Sequence, residues 1–173
     1  MSVVQPRTGT PIVWRQTGGD ESLDLSGASG NSGGVTVGSY HDWGDRSAAP
    51  APDGFLWELE IAGFEAPGTI AIGDPVQLHL TRSQNTTRWS GPEAPSPTAT
   101  TTGDINKLNN LGTGIGSVKA ISTTLTDTII AGGQFNDGYR YWAPVLTNRA
   151  GANLLKTANV HILTVTPFWY EVI

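Results

Sequence analysis

Phe55-Leu56-Trp57-Glu58-Leu59-Glu60-Ile61 is the stretch that decides the fold. Phe55, Trp57, Leu59 and Ile61 alternate with Leu56, Glu58 and Glu60, the period of two expected when one face of a strand is buried and the other meets water. Asp53-Gly54 just before it is a turn signal. The same grammar runs outward in both directions. Short runs rich in β-branched and aromatic residues are separated by turns drawn from 22 Gly and 11 Pro. The other predicted strands are Ile12–Gln16, Val35–Tyr40, Thr69–Ile72, Val76–Leu80, Ile115–Ile121, Thr126–Ala131, Tyr139–Leu146 and Ala158–Val172, with a weaker one over Ser22–Leu25. One short helix is predicted near 104–111: Asp104 caps it, Ile105, Leu108 and Leu111 recur every three residues, and Gly112 stops it.

This pattern predicts an all-β chain, an antiparallel β-sandwich of jelly-roll type, with an immunoglobulin-like sandwich as the alternative. The 173 residues suit a single domain spanning 1–173. Two parts stand apart from the strand pattern: a Gly/Ser-rich N-terminal region, 1–34, and a Pro/Thr-rich segment, 90–102 (SGPEAPSPTATTT), read as an exposed loop or arm.

Composition narrows the chemistry. There is no cysteine, which excludes a disulfide framework, a thiolate-ligated metal and a thiol nucleophile. Net charge is −5 and the only lysines are Lys107, Lys119 and Lys156, with no basic run, so no nucleic-acid partner is expected. No apolar stretch approaches membrane-spanning length and no secretory leader is expected over Met1–Gln16, so no membrane partner is expected either.

Candidate catalytic groups do not converge. His41 and His79 lie in or beside predicted strands and His161 in the last one. Glu58 and Glu60 share one wet face at the spacing glycosidases use, but adjacent exposed carboxylates more commonly serve solvation. His41-Asp42-Trp43-Gly44-Asp45 could offer oxygen ligands to calcium, without the spacing of an EF-hand loop. Gly112-x-Gly114-x-Gly116 opens a strand and not a helix, so it is no phosphate cradle. The expectation is therefore no catalytic residue, no metal and no cofactor.

The C-terminal run Ala158–Ile173 is apolar on both alternating faces: Val160, Ile162, Phe168, Tyr170 and Val172 on one, Leu163, Val165, Trp169 and Ile173 on the other. A strand of that kind expects cover on both sides, from its own chain or from another subunit. Phe168, Trp169 and Tyr170 are the candidate subunit interface. Trp43, Trp89 and Trp142 are candidates for stacking on sugar rings. Trp89 leads, because it stands in the polar stretch Asn85–Ser90.

The order DGFLWELEI (53–61), GDPVQLHLTRS (73–83), a polar Pro/Thr loop, INKLNNLG (105–112), AGGQF (131–135), YRYWAPVLTN (139–148) and VHILTVTPFWYEVI (160–173) resembles small jelly-roll virion proteins of tailed bacteriophages, of the capsid-decoration or head-fibre type. The resemblance covers about two thirds of the chain and rests on motif order. It implies a structural virion protein, homotrimeric, bound to the major capsid protein on the particle. It carries over no catalytic residues. The alternative is a carbohydrate-binding, host-recognition module on a fibre or spike.

Overall fold

The chain is described here from a computed structural model, over residues 4–26, 28, 30, 35–44, 51–90, 100–102 and 114–173. Its strands are β1 (Val4–Thr8), β2 (Ile12–Arg15), β3 (Glu21–Ser22), β4 (Val35–Val37), β5 (His41–Asp42), β6 (Gly54–Ile61), β7 (Phe64–Gly68), β8 (Pro75–Ser83), β9 (Thr100–Thr102), β10 (Gly116–Lys119), β11 (Ile129–Phe135), β12 (Tyr141–Asn148), β13 (Ala152–Leu154) and β14 (Ile162–Val172). No helix occurs among the described residues; the predicted helix at 104–111 lies outside them.

Two sheets make the sandwich. One runs β11-β6-β14-β2-β3, with β1 also on β14; the other runs β10-β8-β12-β4-β9, with β5 also on β12. The pairings are antiparallel apart from the short β2–β3 contact. Take the eight principal strands in chain order: β2, β4, β6, β8, β10, β11, β12, β14. The first sheet then joins first, eighth, third and sixth, and the second joins second, seventh, fourth and fifth. That interleaving is the jelly roll expected from the sequence. A small third sheet, β13-β7, closes one end.

The deciding strand behaves as its pattern requires. In β6, Phe55, Trp57, Leu59 and Ile61 are buried, while Leu56 and Glu58 are exposed. They meet Val76, Leu78 and Leu80 of β8, Leu163 and Val165 of β14, and Trp142 and Leu146 of β12 in one continuous core. Each fully buried side chain of this size stabilises the fold by roughly 1.5–3 kcal/mol. The Trp57 indole needs glycines around it. A Cβ on Gly116 would sit 2.1 Å from its ring and one on Gly133 would sit 2.8 Å from its Nε1.

That packing explains a departure from expectation. Ala131-Gly132-Gly133-Gln134-Phe135, of which only Ala131 falls in the predicted strand, is the body of β11, in register with Phe55–Leu59. The strand therefore runs 129–135 and not 126–131. Thr69–Ile72 is not a strand either. Ile72 is 73% exposed in a turn, and the pairing partner of β13 is instead Phe64–Gly68, which Pro67 had hidden. Within the segment expected to be an exposed loop, Thr100–Thr102 forms β9 along the edge of β4; 91–99 lie outside the described residues. β1 was also not anticipated, since its Val4-Gln5-Pro6-Arg7-Thr8 carries no alternating pattern.

The strand buried on both faces is β12. Trp142 and Leu146 join the main core, while Val145 packs with Val35 and Val37 in a second cluster. The last strand, expected to have that character, has it only in part. β14 is flanked by β6 and β2 over its first half. Past Phe168, opposite Gly54, it leaves the sandwich and pairs with β1 alone.

Candidate functional site

Two surface features carry chemistry, and they lie on different elements. The first is the ribbon made by β1 and the end of β14. Register places Val4 opposite Val172, Pro6 opposite Tyr170 and Thr8 opposite Phe168 on one face; Gln5 opposite Glu171 and Arg7 opposite Trp169 make the other. The first face is apolar and open, with Val4 58%, Tyr170 56% and Val172 67% exposed. Arg7 and Glu171 pair across the second at 3.6 Å. The ribbon leaves the sandwich at a defined point: the Asp53 amide donates to the Phe168 carbonyl at 2.8 Å, and the Asp53 carboxylate accepts from the Tyr170 amide at 2.6 Å.

The three predicted interface residues separate here. Phe168 is buried by its own chain, its ring lying where a Cβ on Gly54 would be 2.7 Å away, so it is not available to another subunit. Trp169 is half-buried over Gly9 and Pro167. Tyr170 is exposed, edge-on to Phe168 at 5.5 Å. Trp169 and Tyr170, with Arg7 and Glu171, line a shallow cavity of about 400 Å³.

The second feature is a groove of about 470 Å³ along the turn from β2 to β3, walled by Arg15, Gln16, Asp20, Glu21 and Tyr40. The turn is well tied. Asp20 accepts from the Val13 amide at 2.9 Å and returns its own amide to the Val13 carbonyl at 2.9 Å. Gly18 takes a left-handed φ of 72°, and its carbonyl accepts from the Arg15 guanidinium. Thr17 and Asn159 exchange hydrogen bonds, including Thr17 N–H to Asn159 Oδ1 at 2.6 Å. The floor is a saturated network: Ser39 Oγ donates to Glu21 Oε2 at 2.6 Å and accepts from the Ser22 amide at 2.8 Å, and His41 Nδ1 meets Glu21 Oε1 at 2.9 Å. Ser39 is thus bound to the carboxylate and not to the imidazole, which is no nucleophile–base pair.

Beside the groove stands an aromatic wall. Tyr40 lies 5.5 Å from Trp89 and 5.8 Å, edge-on, from Tyr141. Trp89 is delivered by a closed loop: Ser90 N–H donates to the Arg82 carbonyl at 2.9 Å, and Arg82 N–H donates to Ser90 Oγ at 3.0 Å. Inside it Asn85 Oδ1 accepts from the Thr87 amide at 3.1 Å, Thr86 adopts a left-handed φ of 60°, and the Trp89 indole N–H donates to the Thr86 carbonyl at 3.1 Å. Arg140 sits 4.9 Å over the Tyr141 ring and clamps Asp42 with two bonds of 2.8 Å. That clamp holds the Asp42 carboxyl below its ordinary range.

The remaining candidates fall elsewhere. Trp142 is fully buried and not a sugar platform; it stacks on Trp14 at 5.4 Å and on Trp43 at 4.9 Å inside the sandwich. Trp43 is half-buried in the same cluster. With its carboxylate held by Arg140, Asp42 offers little to calcium; Asp45 lies outside the described residues, where no group of three or more potential metal ligands gathers. Glu58 and Glu60 stand on the outer side of β6. Burial lowers the pKa of His79, helped by the charge of Arg149. Burial also lowers that of His161, partly opposed by the Leu155 carbonyl and Asp24. His161 accepts from the Ala62 amide at 3.2 Å and its other ring nitrogen meets the Leu155 carbonyl at 3.1 Å, a structural assignment for a neutral ring.

Sequence reasoning missed the groove. The only available signal was Gln16-Thr17-Gly18-Gly19-Asp20, a polar turn between two predicted strands, and nothing in it points to Ser39, Tyr40 or His41 across the sandwich.

No family model and no curated protein matches the chain. Among solved structures it is similar to the CBM22-1–GH10 modules of the Clostridium thermocellum N-terminal endo-1,4-β-D-xylanase 10B, complexed with xylohexaose, at 7% identity and a TM-score of 0.33. The match covers 95% of this chain but only 26% of that one, so the chain spans about a quarter of that structure, and a likeness this loose bears on neither fold nor ligand.

Proposed function

We propose that this chain is a non-catalytic structural subunit of a virus particle, of the tailed-bacteriophage decoration or head-fibre type, and that its copies associate through the β1–β14 ribbon. The observation that carries the reading is the apolar ribbon face, Val4, Pro6, Tyr170 and Val172, which no other described strand covers. A two-stranded ribbon is marginal in water. Apolar surface left exposed forgoes about 25 cal/mol for each Å² that a partner would bury.

A second copy is the occupant that fits. The ribbon's charges are already paired with each other on the opposite face, so the apolar face meets its own copy without burying an unpaired charge. The outer edge of β1 pairs with no described strand, and so offers backbone groups for continuing the sheet. The jelly-roll strand order and the motif order of the sequence support the virion assignment; that resemblance implies a trimer and a seat on the major capsid protein. Multi-angle light scattering, alone and with purified capsids, tests both parts. The expected result is a discrete oligomer, a trimer, that co-migrates with capsids. A protein that remains monomeric and ignores capsids overturns the reading.

A further inference from the structure

We infer that the groove between the β2–β3 turn and Tyr40 is a binding site for a neutral oligosaccharide, with Tyr40 and Trp89 as its aromatic wall. The inference stands apart from the oligomer reading, since the groove shares no residue with the ribbon.

Three observations carry it. The first is chemical variety at short range. Sugar hydroxyls both donate and accept, and the groove offers acceptors in Asp20 and Glu21 and donors in Arg15 and Gln16. Arg15 Nε and Gln16 Oε1, a donor and an acceptor buried just behind that wall, have no hydrogen-bond partner among the described residues. The second is rigidity. Glu21 is fixed from behind by Ser39 and His41, and Asp20 by Val13, so both carboxylates are oriented before any ligand arrives. The third is the aromatic wall. Trp89 is held against Tyr40 by a loop closed at both ends, at the expense of a left-handed Thr86. Non-glycine residues kept in that conformation concentrate at binding sites. An amphipathic ring beside hydrogen-bonding groups suits the apolar face and polar rim of a pyranose.

Charge sets the ligand class. One cation, Arg15, faces two carboxylates, Asp20 and Glu21, and Asp24 lies 3.3 Å behind Gln16. A sialylated or sulfated glycan would meet net negative charge there, whereas a neutral hexose or N-acetylhexosamine chain would not.

The test is an array of immobilised neutral and acidic oligosaccharides, probed with the intact protein and followed by titration of the best neutral hit. Wild type should be retained on neutral glycans only. Trp89→Ala and, separately, Gln16→Ala should each weaken binding by about tenfold, roughly the loss of one stacking or hydrogen-bonding contact. Ile72→Ser, at an exposed turn position that lines neither the groove nor the ribbon, should leave it unchanged. Circular dichroism of each variant separates lost binding from lost fold, and Gln16→Ala, at a half-buried position outside the main core, keeps the test open should Trp89→Ala unfold. Wild type that binds no glycan, binds acidic glycans alone, or binds neutral ones equally after Gln16→Ala in a folded protein overturns the inference.

Discussion

The two halves of β14 differ in both neighbours and burial. From Ile162 to Phe168 the strand lies along β6, with β2 on its other side over Leu163–Val165, and Leu163 and Val165 are in the core. From Trp169 onward it has one neighbouring strand, β1, and past the half-buried Trp169 its side chains are exposed. The amino acids of the two halves are similarly apolar, so hydrophobicity does not set the difference. Position does: β6 begins at Gly54, Asp53 takes the last hydrogen bonds, and beyond that point the sandwich has no more width to offer. Apolar content in the first half thus serves folding, and in the second half it stays exposed, where the proposed function seats a second copy.

That contrast breaks most visibly at the core. Trp57→Ala should cost about 3–5 kcal/mol, because a large buried ring leaves a cavity between β6, β10 and β11. Chemical denaturation with a linear extrapolation reads it, and a loss under about 1 kcal/mol would mean that the two sheets are not packed as described. Arg82→Ala should follow at roughly 3 kcal/mol, since Asp137 is buried 2.5 Å from the Arg82 Nε and would lose that cation while keeping the Tyr139 amide. Arg82→Met with Asp137→Leu should recover much of that loss.

Gly116→Ala comes next, at about 2 kcal/mol, because the new Cβ would overlap the Trp57 ring. Gly138→Ala, with nothing within 4 Å of its Cβ, is the matched control and should stay near wild type.

Acid should act on the sandwich. His79 and His161 both have pKa values lowered by burial from the ordinary 6.5, so the unfolded chain takes up protons that the folded chain refuses. Their contribution is therefore complete above 6.5 and declines as pH falls below it toward the folded values. Melting temperature should drop between neutral and mildly acidic pH, and His161→Asn should flatten that slope. An unchanged slope would show that His161 is not the neutral, buried ring described.

Much of the sandwich was legible because β6 and β8 bury one face each, and alternation records that directly. β1, β7 and β9 were not, since strands at an edge are defined by what they pair with, and Val4–Thr8 or Phe64–Gly68 carry no pattern of their own. The glycines of β11 misled for a related reason: they make room for Trp57, a contact across two strands that local sequence does not encode. Tyr170 was legible as a candidate interface residue, whereas Phe168 was not separable from it until Gly54 was seen beneath its ring. The groove residues come from two segments, 15–22 and 39–40, joined only by the fold.

The smallest effect on stability should come from the ribbon, and it carries the central claim. Tyr170→Ser with Val172→Ser should shift monomer stability by no more than about 0.5 kcal/mol, as for other exposed positions. The decisive measurement is sedimentation velocity of wild type and this double variant across a concentration series. Wild type should sediment as an oligomer and the variant as a folded monomer. A wild type that is monomeric at every concentration, or a variant that assembles as well as wild type, would contradict it.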